Sequence, residues 1–410
     1  MRKNGINREL NAIEGGICAP DGFKAGAVAC GIRSDNEMDL ALIIAEKKCR
    51  TACVYSTLGK LGAPSVITRK HLFNGLAQAV LVNGGIANVF MEKGEKLADA
   101  ATRLIEKNFS VSFDDVVIAS TGEVGKPLTL LPFEAGVPNL RYNIGNGEEY
   151  SLAAAQAISS VGETPKQMAF AFDLGAYPCK IGVICKGDIH VAPNMATTLV
   201  FITTDVNIST EMLQRALAAE VRETLNMLSI DGVGSPNDMV CIMSSCRAGN
   251  YIIDCVDTEY EKFVIALRFV LRKVCRAIVE NSVRAYEKPF YCQVSGCKSK
   301  QESRAISKKL IENKIVKHAL LRQDIDVEGI LLILSEFDAI KDSGRVEISL
   351  RSGIVQLSMY ENGRKQACLS EIKRELLSAG DTMLCVRIGS GNYSSIAYGT
   401  ALRESFGKKL

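Results

Sequence analysis

Lys186-Gly187-Asp188-Ile189-His190-Val191-Ala192-Pro193-Asn194-Met195-Ala196-Thr197-Thr198-Leu199-Val200-Phe201-Ile202-Thr203-Thr204-Asp205 is the stretch that sets the reading of the chain. Its first half is rich in turn formers, with Pro193 and Asn194 at its centre. Its second half, Thr197 to Thr204, is β-branched and apolar, which predicts a strand. Ile181 to Cys185 predicts another strand just upstream, broken by Lys186-Gly187-Asp188. Thr197 therefore opens a strand directly after a turn. A threonine there often has only a structural role. It can also do chemistry, because a hydroxyl held against the carbonyl carbon of its own preceding peptide bond can attack it. The resulting ester hydrolyses and leaves a free α-amine, with a pKa of about 8, beside the hydroxyl it can serve as general base.

Upstream, Gly15 to Gly31 carries short extended pieces around Phe23 and Ala27-Val28-Ala29, and Leu40 to Ala45 and Thr51 to Tyr55 read as two short buried strands. Ala79 to Val82 is a strand ended by Asn83-Gly84-Gly85, and Val116 to Ala119 is a buried strand running into Ser120-Thr121-Gly122. Leu97 to Asn108 and Leu152 to Ile158 have helical spacing. Downstream, Leu213, Leu217, Val221, Leu225 and Leu228 share a helical face behind a Ser209 or Thr210 cap. Phe263 to Ile278 and Ser303 to Asn313 predict further helices. Leu331 to Leu334, Val346 to Leu350 and Ile354 to Met359 read as strands, the last two joined by Arg351-Ser352-Gly353. Strands and helices mix without strict alternation, so the expected class is α+β rather than a doubly wound sheet.

Composition narrows the function. Hydrophobic residues make up 47% and charged residues 23%, ordinary for a soluble globular chain. A net charge of +3, with no basic stripe interleaved with aromatics, argues against a nucleic-acid partner. The start, Met1-Arg2-Lys3-Asn4, does not read as a signal peptide, and no run of about 18 apolar residues is expected to span a membrane. Fourteen cysteines include no C-x-x-C pair; the closest pairs are Cys49/Cys53, Cys241/Cys246 and Cys292/Cys297. That spacing fits reduced, buried thiols in a cytoplasmic protein, with no metal site. His190 lies seven residues before Thr197 but reads as structural, since the terminal amine fills the role of base. His71 and His318 stand alone.

Several spaced motifs then agree in order. They are Gly22-Phe23-Lys24-Ala25, Val82-Asn83-Gly84-Gly85-Ile86-Ala87-Asn88, Ala119-Ser120-Thr121-Gly122-Glu123-Val124-Gly125 and Ala192 to Leu199. Asp231-Gly232 to Ser235 with Asn237 and Asp238, and the tail Gly389-Ser390-Gly391 to Ala397-Tyr398-Gly399, complete the series. Together they resemble the ornithine acetyltransferases, the ArgJ family, over nearly the whole chain. The resemblance implies the layered sheets flanked by helices of DmpA- and ArgJ-like proteins, and self-cleavage between Ala196 and Thr197 into segments 1–196 and 197–410. It implies ping-pong acyl transfer through Thr197 from N-acetylornithine, or a related N-acyl amino acid, to glutamate or another amine in arginine biosynthesis. No cofactor is implied; acetyl-CoA serves some members as acyl donor. Thr121 and Gly122 match the family's oxyanion-hole pair, Lys186 a lysine of its substrate pocket, and Asp173 the aspartate that remains of an upstream substrate-binding run. The expected partners are a small-molecule substrate and further copies of the cleaved pair.

The departures fall on substrate recognition. The family's glutamate for the substrate amine lies where this chain has Val283 or Arg284, within Asn281 to Lys288. Arg284 would repel a cationic ornithine amine, and Glu280 or Glu287 would have to substitute. A tryptophan-containing run is replaced around Gln323 to Gly329, and a C-terminal active-site run has no match at Lys408-Lys409-Leu410. An amidohydrolase on the same scaffold, or a non-catalytic binding protein, are the competing readings.

Overall fold

The structure is a computed structural model describing residues 10–187, 198–230, 234–282, 288–321, 324–338, 345–367 and 370–401. In chain order its strands begin with β1 (Asn11–Ile13), β2 (Phe23–Val28), β3 (Leu40–Tyr55), β4 (Leu76–Asn83) and β5 (Val116–Ser120). Next come β6 (Ile144–Gly145), β7 (Lys166–Leu174), β8 (Tyr177–Lys186), β9 (Leu199–Thr204), β10 (Leu228–Ser229) and β11 (Met239–Ser244). The last are β12 (Lys288–Cys297), β13 (Val346–Ser352), β14 (Val355–Glu361), β15 (Arg364–Lys365), β16 (Met383–Ile388) and β17 (Tyr393–Ala401). The helices are α1 (Ala63–His71), α2 (Gly94–Phe109), α3 (Leu131–Leu140), α4 (Glu148–Ile158) and α5 (Thr210–Glu223). They continue with α6 (Thr258–Asn281), α7 (Lys300–Glu312), α8 (Lys314–Leu321), α9 (Val327–Ser335) and α10 (Ser370–Ser378).

The described residues form two compact units, the first from 10–187, 198–221 and 234–274, the second from 222–230 and 275–401. The class is α+β. In the first unit a ten-stranded sheet runs β1-β7-β8-β9-β11-β3-β2-β6, with β4 on the other edge of β3 and β5 beyond it. The 16-residue β3 organises this arrangement: β2 lies along its first half, β11 along its second, and β4 follows its opposite edge. Sequence periodicity had suggested two strands here, because Glu46, Lys47 and Lys48 interrupt the apolar run. The structure keeps one strand, with those three side chains exposed and a register shift against β4 between Ile44 and Cys49.

Both faces of the central strands are covered, which is why β5 reads as Val-Val-Ile-Ala without alternation. Val116 and Ile118 join the core beneath α2 and α3, and Val117 and Ala119 join the core beneath α4. Thr68 on α1 locks this edge: its hydroxyl donates to the Ile118 carbonyl at 2.7 Å and accepts the Ile118 N–H at 2.8 Å. β5 is thus held from both faces up to the residue before Thr121.

The second unit carries a seven-stranded sheet, β10-β17-β12-β16-β13-β14-β15. One sequence expectation fails there. Leu331 to Leu334 is not a strand but the centre of α9, capped by Asp326, whose carboxylate accepts the Glu328 N–H at 3.0 Å. Helix α5 is capped by Ser209, but it stops at Glu223; Leu225 lies in a short 3-10 turn and Leu228 in β10. The segments 1–196 and 197–410 divide the chain differently from the compact units, since β9 sits between β8 and β11 within the first. Among the described residues no helix is long and apolar enough to cross a membrane.

Candidate active site

β5 ends on a backbone arrangement that only glycine permits. Gly122 has φ +130°, and a Cβ there would meet the Gly85 carbonyl carbon at 2.1 Å. The neighbouring groups are fixed: the Thr121 N–H donates to the Asn83 carbonyl at 2.9 Å, and the Glu123 N–H to the Gly85 carbonyl at 2.9 Å. Asn83 is held in turn, accepting the Ser120 hydroxyl at 2.5 Å and donating to the Ile86 carbonyl at 2.9 Å. Between those anchors the Gly122 N–H has no backbone partner among the described residues. The Thr121 side chain is buried, and its Oγ1 also has no partner among them. Among the described residues two adjacent donors on one strand end thus lack acceptors, an arrangement able to receive a negative oxygen.

Lys186, the last residue of β8, pairs in register with Leu199, the first of β9. Its side chain is buried. One residue before Leu199, the Thr198 N–H donates to Oδ1 of Asp238 at 2.7 Å, and the Thr198 carbonyl accepts the Met239 N–H at 3.1 Å. Asp238 is fully buried; burial pushes its carboxyl well above the usual range, opposed by the N–H groups of Thr198 and Ser235 and by the charge of Lys186. The other flank of Lys186 is held by Glu163. Its carboxylate accepts the Gly187 N–H at 3.1 Å and the Ser160 N–H at 2.8 Å, and pairs with buried Lys166.

Thr121, Gly122 and Lys186 line one cavity of about 370 Å³ together with Arg33, Asp35 and Lys126. Arg33 and Asp35 form a two-pronged pair at 2.9 and 3.2 Å, and Arg33 also donates to the Ser159 carbonyl at 3.1 Å. Buried Asp39 shapes this wall by accepting the N–H groups of Cys30, Ile32 and Arg33 at 2.8, 2.7 and 2.9 Å. Asp39→Ala would strand all three donors. The expected loss of stability is about 3 kcal/mol or more, read from denaturant unfolding; an unchanged midpoint would refute this role.

The structure brings Thr121, Gly122 and Lys186 to one cavity. It does not bring Asp173 there: Asp173 is exposed and pairs with Pro178 near the turn of the β7–β8 hairpin, whereas Lys186 ends β8 at the opposite extreme. Ala196, Thr197 and His190 lie outside the described residues, as do Val283, Arg284 and Glu287. Glu280 accepts a hydrogen bond from the Tyr291 hydroxyl at 3.3 Å. His71 is buried with Nδ1 2.9 Å from the Val116 carbonyl, and His318 is exposed on α8. Sequence reasoning missed Arg33, Asp35, Asp39 and Glu163, and gave Asp238 no role. The local signal for Asp39 was slight: it is the last of three acids, after Asp35 and Glu37, ahead of an apolar strand.

Relatives extend the geometry to a class. A glutamate N-acetyltransferase of Methanocaldococcus jannaschii is 29% identical over 404 residues, covering 97% of this chain and 98% of its own. The arginine biosynthesis bifunctional protein ArgJ of Caldanaerobacter subterraneus is 28% identical over 400 residues, with coverage of 97% and 98%. The crystal structure of ornithine acetyltransferase complexed with ornithine, from Mycobacterium tuberculosis, is 26% identical, with a TM-score of 0.41 over 45% of this chain and 98% of that one. With its strand-end donors and buried lysine, the chain is an α+β enzyme of the acyltransferase class. More narrowly, it belongs to the ArgJ family, whose sequence profile matches residues 24–408.

Proposed function

We propose that the chain cleaves itself between Ala196 and Thr197 and then transfers acetyl groups between amino acids through an acetyl-threonine ester. The observation that carries this is the buried, unpartnered Thr121 hydroxyl beside the Gly122 N–H, in one cavity with Lys186. In the first reaction the Thr197 hydroxyl adds to the Ala196 carbonyl carbon, and the peptide C–N bond breaks to give an ester. That break frees the Thr197 amine; water then hydrolyses the ester to a carboxylate on Ala196 and restores the Thr197 hydroxyl. In the second, that amine takes the hydroxyl proton as the oxygen attacks the donor's amide carbon. The proton passes to the departing amine, and the acetyl group stays on Thr197. An acceptor amine reverses these steps. Each addition puts negative charge on a carbonyl oxygen, which Thr121 and Gly122 can receive. Lys186 supplies a compact positive charge for a substrate carboxylate.

The name of one relative, a glutamate N-acetyltransferase, supports glutamate as acceptor, and N-acetylornithine is the donor that the family resemblance implies. Acetyl-CoA is a further candidate donor, and a homo-oligomer of the cleaved pair the expected assembly. The test is an intact-mass spectrum of the purified protein after incubation with N-acetylornithine or other N-acetyl amino acids. Two fragments, with an acetyl group added to the one starting at Thr197, are expected. A single uncut chain without adduct would overturn the reading. Acetate release without any acceptor would replace transfer by hydrolysis.

A further inference from the structure

Asp238 is an expensive residue to bury. A carboxyl removed from water costs free energy unless its oxygens are satisfied, so what they hold matters. Yet Asp238 is fully buried just before β11, and its strongest contact is the 2.7 Å bond from the Thr198 N–H. Its second oxygen accepts the Ser235 N–H at 3.3 Å, and the charge of Lys186 acts on it. Met239, the next residue, donates its N–H to the Thr198 carbonyl. Both backbone groups of residue 198 are thereby clamped by two consecutive residues.

That clamp reaches one residue further through covalent geometry. A peptide unit is planar, so holding the N–H of one residue restricts the carbonyl and Cα of the residue before it to one plane and leaves rotation about that Cα–C bond as the remaining freedom. The hydroxyl-bearing carbon and the α-nitrogen of Thr197 both hang from that Cα. We propose that Asp238 is a positioning residue for Thr197, setting through the Thr197–Thr198 peptide the direction from which the hydroxyl attacks, in self-cleavage and in acyl transfer alike. This rests on the reading of Thr197 as nucleophile.

Three variants test it: Asp238→Leu, which removes both acceptors and keeps the forked shape, Asp238→Ala, and Asp238→Asn, which keeps one acceptor without the charge. Cleavage is followed by intact mass after expression and refolding, turnover by acetyl transfer, and folding by Tm. Leu and Ala are expected to slow cleavage and lower kcat by about 10- to 100-fold with KM little changed. Asn is expected to restore most of both, with a Tm no lower than that of the natural protein. Leu or Ala variants that fold and cleave at the natural rate would overturn the proposal. So would a folded Asn variant that loses more than about 10-fold, which decides the matter if Leu and Ala do not fold. A natural protein that never cuts at Ala196–Thr197 would instead sink the reading of Thr197 itself.

Discussion

Thr197→Ala is expected to leave a single chain of 44.4 kDa on a denaturing gel, where the natural protein should give two bands of roughly half that mass. The loss is total for cleavage because the reaction is intramolecular and one atom performs it: without Oγ1 nothing else is covalently tied to the Ala196 carbonyl. Turnover should fall by about 10⁴-fold or more, as when an acyl-accepting nucleophile is removed from other enzymes. Two independent defects coincide, since the uncut chain also lacks the free α-amine that serves as base. The fold should survive. β9 keeps its ladder to β8 and β11, and the Thr198 N–H keeps Asp238. Thr197→Ser should cleave and turn over, because it retains the hydroxyl. Two bands, or full activity, from the Ala variant would remove Thr197 from the mechanism.

How far the site could be read in advance depended on whether its parts are local. Val116 to Ala119 read as a buried strand running into Thr121-Gly122, and the family motif singled out that pair at its end. Lys186, matched by the family motif, does reach the cavity. What was missed depends on contacts between distant segments. Asp238 meets Thr198 forty residues away, and Glu163 meets Gly187 across twenty-four. Asp39 and Arg33 lie close in sequence, but their bonds run from a carboxylate to backbone N–H groups of an irregular loop, which leaves no periodic trace. The mistaken strand at Leu331 to Leu334 has another origin. A four-residue apolar run has no period of its own, and the deciding signal was the cap at Asp326, five residues upstream. Asp173 was carried by motif alone, without the strand register that sends it to the wrong end of β7.

Thr121→Val should separate catalysis from stability more cleanly than any other change. Valine keeps the branched shape and the strand preference of threonine and removes only the hydroxyl. Among the described residues that hydroxyl bonds to nothing, so its loss breaks no contact there, and a buried polar group without an acceptor is traded for a methyl. The Tm is therefore expected to stay level or rise slightly. The rate should behave oppositely. If the hydroxyl donates only once the carbonyl oxygen has gained charge, its removal costs about 3 to 4 kcal/mol in the transition state, or about 10²- to 10³-fold in kcat. KM should move little, because the substrate's neutral carbonyl gains less from the donor than the oxyanion does. Self-cleavage passes through an oxyanion on Ala196, and it should slow by a similar factor if the same donors serve both reactions. A variant that cleaves slowly yet acylates normally would show that the two oxyanions rest against different groups. A variant normal in both would leave Gly122 as the remaining donor, and the orphaned hydroxyl without an assigned purpose.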